Sequence, residues 1–144
     1  MRTSTLLTTL AATLPSLTTA RLVGLRVPAT IAPGATFTAT LISENYIQTV
    51  YDVAVAFGTS PAPSHPEWLG TVLASDYLGP ALSNLAYSPN FTLTMPTSVA
   101  QGSEQVVYAA LYSLYGASTM PTLSTFNVTA VIGEETSEEY VSSI

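Results

Sequence analysis

The chain has 144 residues, 47% of them hydrophobic and 8% charged, a composition that suits one compact domain and excludes a disordered polar chain or a coiled coil. Three basic residues against nine acidic ones give a formal net charge of −6, so a nucleic-acid backbone or an anionic membrane surface would repel it. There is no cysteine and a single histidine, His65, which removes disulfides, thiolate nucleophiles and metal sites built from cysteines or several histidines.

Residues 1–20 read as a secretory signal. Arg2 precedes an apolar stretch from Leu6 to Leu17, and Thr18 and Ala20 occupy the small-residue positions before a cleavage point. Thr8, Thr9, Thr13 and Pro15 interrupt that stretch, which is already shorter than the roughly 20 residues of a spanning helix. The expected product is a secreted, non-inserted domain over residues 21–144, ending in an acidic tail, Glu134 to Glu139, that reads as solvated and mobile. With no crosslink to reduce, such a domain keeps its stability in an oxidising or a reducing compartment, so both the outside of its own cell and the inside of another one are open to it.

Beyond Arg21 the chain reads as short alternating runs between turn residues. The first run is Leu22 to Val27, and Pro33-Gly34 then suits a type II turn. In the second, Thr36 to Ile42, Phe37, Ala39 and Leu41 share one face and three threonines the other. The third, Val50 to Phe57, places Tyr51, Val53, Val55 and Phe57 together, with Asp52, Ala54 and Ala56 opposite, and stops at Gly58. Pro61, Pro63 and Pro66 mark Thr59 to Leu69 as a loop. A weak run, Gly70 to Ser75, precedes a stretch from Asp76 to Ser88 that is loop or short strand. Phe91 to Met95, Gln105 to Tyr115 and Leu123 to Ile132 complete the set. About seven strands with polar turns predict an all-β, immunoglobulin-like or fibronectin-like sandwich. In the last run Phe126, Val128, Ala130 and Ile132 take the core face, and Asn127 and Thr129 point away from it.

Few residues carry candidate chemistry. A serine-type site would need His65 as its base, and no glycine-flanked nucleophile serine occurs, so His65 reads as an incidental loop residue. Glu44, Asp52, Glu67 and Asp76 could supply a carboxylate pair for glycoside cleavage, but they read as dispersed, solvated acids, and Trp68 is the one tryptophan platform. The expected protein is non-enzymatic and needs no cofactor. Asn90-Phe91-Thr92 and Asn127-Val128-Thr129 match the N-glycosylation pattern, and strand parity places both asparagines outward. In Gln105 to Tyr115 both faces are apolar. If Val107, Ala109 and Leu111 form the core face, Tyr108 and Tyr112 become an outward aromatic strip fit for a protein partner; otherwise they pack under a loop or form a tyrosine corner. Tyr140 near the C-terminus is a further candidate contact. The chain contains no lysine, its basic residues being Arg2, Arg21 and Arg26.

The segments Tyr46 to Gly58, Gly70 to Pro80 and Ser113 to Ser118, continued by Pro121 to Ser124, Phe126 to Thr129, Thr136-Ser137 and Tyr140 to Ser143, resemble the fungal necrosis-inducing secreted effector family across the mature chain. That resemblance implies a small effector, found in pathogenic and non-pathogenic plant-associated fungi, that suppresses pattern-triggered immunity. It also implies binding and inhibition of plant immune kinases, both the cell-surface co-receptor and cytoplasmic receptor-like kinases, with cell death in some hosts. No catalytic residue comes with the resemblance. The other reading of a secreted sandwich, a fungal cell-wall structural or glycan-binding protein, has against it the missing Ser/Thr-rich stalk and the shortage of aromatic platforms.

Overall fold

The computed structural model describes residues 19–144. All but the last two residues of the expected export signal lie outside that range; Thr19 and Ala20 lead into the first strand, where Ala20 is buried and pairs with Asn45. Among the described residues the fold is a β-sandwich of nine strands: β1 Ala20–Pro28, β2 Thr30–Ile31, β3 Thr36–Asn45, β4 Val50–Pro61, β5 Thr71–Tyr77, β6 Asn90–Thr94, β7 Glu104–Tyr115, β8 Met120–Ile132 and β9 Tyr140–Ser142. One sheet has the order β6-β3-β1-β9 and the other β2-β8-β7-β4-β5. Reading β1, β3, β4, β6, β7 and β8 as A, B, C, E, F and G gives A-B-E facing G-F-C, the arrangement of immunoglobulin-like sandwiches. Two strands beyond the expected seven, β2 and β9, have two and three residues and too few side chains to show a period.

The core lies where the inward faces meet. Leu25, Val27, Phe37, Ala39 and Leu41 from the four-stranded sheet oppose Val55, Phe57, Val107, Ala109, Leu111, Val128 and Ala130 from the five-stranded one. Phe57, fully buried, meets the Phe91 ring at 5.1 Å between centroids. The alternation of β3, β6 and β8 follows the sequence pattern, with Thr40 the exception: it is buried on the nominally wet face of β3, where its hydroxyl donates to Asn90 Oδ1 at 2.7 Å.

β4 departs from its predicted alternation in two ways. Its register against β7 slips between Asp52 and Ala54, leaving Val53 as the extra residue of a bulge whose carbonyl accepts from Leu78 N–H. The slip turns Asp52 inward, so Val50, Asp52, Val55 and Phe57 are buried, while Tyr51 and Val53 leave the core face on which the uninterrupted period puts them. The strand also runs through Gly58 to Pro61. A Cβ at Gly58 would stand 2.0 Å from the Leu69 carbonyl oxygen, so this glycine lets the proline loop cross the strand rather than ending it.

The C-terminal acidic segment is fastened to the sandwich rather than trailing from it. Ser137 Oγ accepts from Thr30 N–H at 3.0 Å, Thr136 Oγ1 from Ala32 N–H at 3.2 Å, and the Glu139 carbonyl from Ala29 N–H at 2.8 Å. The chain crosses here from β1 in one sheet to β2 in the other, which strands backbone donors that these groups satisfy. β9 then pairs with β1, and Ser143 Oγ accepts from Leu25 N–H at 2.9 Å.

Candidate partner-binding face

The outward side of the five-stranded sheet carries the largest grouping of exposed aromatic and aliphatic side chains. Residues directly opposite one another on adjacent strands share a face, and the register aligns Leu123 on β8, Tyr112 on β7, Ala54 on β4 and Tyr77 on β5 in one row. Leu123 and Tyr77 are each 68% exposed and Tyr112 41%. Tyr77 meets Tyr51 hydroxyl to hydroxyl at 2.9 Å, a bond that holds the Tyr51 phenol above its ordinary range.

Above this row sits the proline loop, residues 62–70. Trp68 N–H donates to the His65 carbonyl at 3.0 Å, and the two rings stack with centroids 4.2 Å apart, presenting the indole to solvent at 60% exposure. Tyr108 holds the loop from below. Its hydroxyl accepts from His65 N–H at 3.0 Å and lies 3.1 Å from Ser60 Oγ, and the ring is buried. Between loop and sheet lies a slot of about 110 Å3, lined by Glu67, Trp68, Ala110, Leu123 and Thr125 among others. Glu67 gives the slot a negative rim, and among the described residues both arginines belong to the other sheet. There Arg21 is 2.7 Å from Glu44 Oε1 and 4.5 Å above the Tyr46 ring, and Arg26 lies 5.4 Å from the Tyr140 ring.

The sequence-predicted site residues are dispersed by this geometry. Val107, Ala109 and Leu111 do form the core face, yet of the expected outward pair only Tyr112 is exposed. Tyr108 is a correction to the outward strip and takes the alternative of packing under a loop; its partners, Ser60 on β4 and His65 on the β4–β5 connection, differ from the local backbone partner of a tyrosine corner. Tyr140 is exposed on β9, in the opposite sheet from Tyr112. Asn90 and Thr92 are exposed, whereas Asn127 is half-buried with Thr129 exposed beside it. Of the four acids read as solvated, Glu44, Glu67 and Asp76 are exposed but Asp52 is buried, a consequence of the bulge. Burial pushes the Asp52 carboxyl above the usual carboxylate range, and the Ser113 hydroxyl, donating at 2.6 Å, pulls it partly back.

Tyr77 and Leu123 are face residues that sequence reading does not single out. Leu123 shares parity with Thr125 and Thr129, and a leucine among outward threonines is the signal that marks it. A larger concavity, about 420 Å3, lies elsewhere among uncharged residues including Thr59, Pro61, Ser98 and Gln105. No group of three or more His, Cys, Asp or Glu side chains that could hold a metal occurs among the described residues. Removing the Tyr108 hydroxyl tests the loop's attachment: Tyr108→Phe costs about 1 kcal/mol and shifts Trp68 fluorescence, read by chemical unfolding and by emission in the folded state.

Sequence comparison gives this face its context. Two fungal proteins, each called "Necrosis-inducing secreted protein 1", align over 134 residues covering 92% of this chain. The protein from Colletotrichum orbiculare is 47% identical with 82% of its length covered, and that from Colletotrichum higginsianum is 48% identical with 92% covered. Secretion, expected from residues 1–20, agrees with how both relatives are named. Residues 18–131 match the Nis1 family, spanning the sandwich from the entry into β1 almost to the end of β8, and the chain is a secreted member of that family.

Proposed function

We propose that this chain is a fungal effector that suppresses plant pattern-triggered immunity by binding and inhibiting immune receptor-associated kinases, at the co-receptor and among the cytoplasmic receptor-like kinases, and that it provokes cell death as its relatives' names say of them. The observation that carries this reading is the row Leu123, Tyr112 and Tyr77 with Trp68 above it. It is an uncharged aromatic surface with an acidic rim, and the sheet bearing it has no lysine or arginine. Exposed tryptophan and tyrosine anchors inside a polar surround are the pattern of protein-binding patches. The protein acts by occupying a surface and turns over no substrate. Asn90 and Asn127 are taken as its glycan sites, and residues 1–20 as its cleaved signal.

Capture of the two kinase classes by the secreted protein at micromolar concentration, together with reduced phosphorylation of a kinase substrate, is the expected result. Trp68→Ala weakens capture about tenfold or more. No capture by the unaltered protein ends the proposal, and co-sedimentation with wall polysaccharide instead would favour a glycan-binding role built on the exposed indole.

A further inference from the structure

Each sheet edge leaves backbone groups without a ladder partner, and the four edges are guarded unequally. β9 and β6 are short, with three and five residues. β5 carries Asp76 and a register break where it pairs with Gly58. β2 covers β8 only at Val131 and Ile132, so ten residues or so of β8 before that point have no neighbouring strand on the outer side among the described residues.

The direction of every amide along that open stretch follows from the bonds at its end. Ile132 N–H donates to Ser103, toward β7, whereas Val131 N–H donates to Ala29, away from it. Pairing with β7 runs without a slip from Val131 back to Met120, so the even-numbered amides of β8 face β7 and the odd-numbered ones face outward. The Leu123, Thr125, Asn127 and Thr129 amides therefore point off the sheet, and none has an acceptor among the described residues. Pro121 obeys the same parity: its missing N–H falls on the open side, where no ladder bond is lost. β8 carries no charge from Met120 to Ile132 and no proline beyond Pro121, so nothing along Leu123–Thr129 discourages pairing.

We infer that the open edge of β8, Leu123 to Thr129, takes up an extended segment of a partner protein as an added strand, the segment bearing an apolar side chain for the slot under Trp68 and a basic residue for Glu67. Strand addition gives affinity through main-chain bonds and specificity through alternate side chains. The outward side chains of an added strand stand about 4.8 Å from those of β8, so a long apolar one can lean over Thr125 into the slot that Leu123 and Trp68 enclose. Charge selects the occupant. A second copy of this chain brings a net charge of −6 and no lysine, and its arginines Arg21 and Arg26 are engaged in the other sheet, so it has no cation to offer Glu67. The identity of the partner, though not the edge itself, rests on the proposed function.

The test uses the secreted protein freed of N-linked sugars, the kinase domains of the proposed function, and a synthetic nine-residue peptide of alternating threonine and valine with a central leucine and a nearby arginine. Amide hydrogen exchange is expected to slow at least tenfold at Leu123, Thr125, Asn127 and Thr129 when peptide or kinase binds, with little change at the already bonded even positions. Thr125→Pro removes an outward amide; it is expected to keep the melting temperature within a few degrees and to weaken both complexes at least tenfold. Exchange in the unaltered protein decides the matter should the proline variant fold poorly. A kinase complex that leaves the four odd amides unchanged overturns the edge inference and leaves the proposed function standing. Peptide protection without kinase capture does the reverse. A dimer in sedimentation equilibrium that Thr125→Pro abolishes makes the edge a self-interface and overturns the partner assignment. If neither ligand slows exchange at the edge and no kinase is captured, both readings fall.

Discussion

Phe57→Ala is expected to lower stability by about 3–5 kcal/mol, the range for emptying a buried phenylalanine site, and the melting temperature by roughly 10–20 °C for a domain of this size. Phe57 has no solvent exposure, lies on the inward face of β4 and packs against Phe91 of β6 across the sandwich. Both sheets lose contact together, because Val107, Ala109 and Leu111 on β7 and Leu41 on β3 converge in the same core and cannot close the gap without moving whole strands. The domain has no disulfide to limit the damage. Against a total of about 5–15 kcal/mol for ordinary domains, this single change brings the protein near its unfolding limit at growth temperature. Thermal and chemical unfolding measure it; a loss under 1 kcal/mol would show that the two sheets are packed less tightly than the contacts indicate.

The second large effect belongs to the Asp52–Ser113 pair and depends on pH. Asp52 is an acid whose folded carboxyl lies above its unfolded value, with burial the cause. Between those two values the folded state holds a proton that the unfolded state has released. Stability therefore falls as pH rises through that window and stays at its lower level above it. Ser113→Ala removes the hydroxyl that donates to the carboxylate. Where the carboxyl is ionised the loss is about 2–3 kcal/mol, the range for a hydrogen bond to a charged buried group, and it shrinks toward about 1 kcal/mol at pH low enough to protonate the folded acid, which is then cheaper to bury. Asp52→Asn keeps an acceptor for Ser113 and removes the ionisation, so its unfolding free energy loses this slope with pH. Denaturant titrations of the three proteins from neutral pH down through the acid range check both statements, and an effect of Ser113→Ala that does not change with pH would contradict them.

The same pair shows where sequence and structure part company. Alternation alone places Asp52 outward with Ala54 and Ala56, and that parity holds downstream, where Val55 and Phe57 are indeed inward. A one-residue bulge at Val53 reverses it upstream, and neither Asp52 nor Val53 announces a bulge by type. The core faces of β3, β6 and β8 are legible because threonines alternate with large apolar residues there without interruption. Gly58 reads as a stop by composition, yet its small size serves the crossing of the proline loop, which only the tertiary arrangement brings to it. That loop also decides the fate of Tyr108. Its side chain has outward parity like Tyr112, but the loop's backbone donates to its hydroxyl and buries its ring. The candidate face is accordingly half legible: Tyr112 and Trp68 stand out by residue type, whereas Tyr77 and Leu123 join them only once the register of four strands is known.

Asn127 stands among the outward-pointing residues of β8, midway along the stretch that lacks a neighbouring strand. A sugar chain attached there during export would hang beside the same row of free amides as a bulky, hydrated screen. Material from a yeast and material from a bacterium would then be different reagents, one shielded and one bare, and a binding experiment performed with only the first could miss an interaction that the second displays.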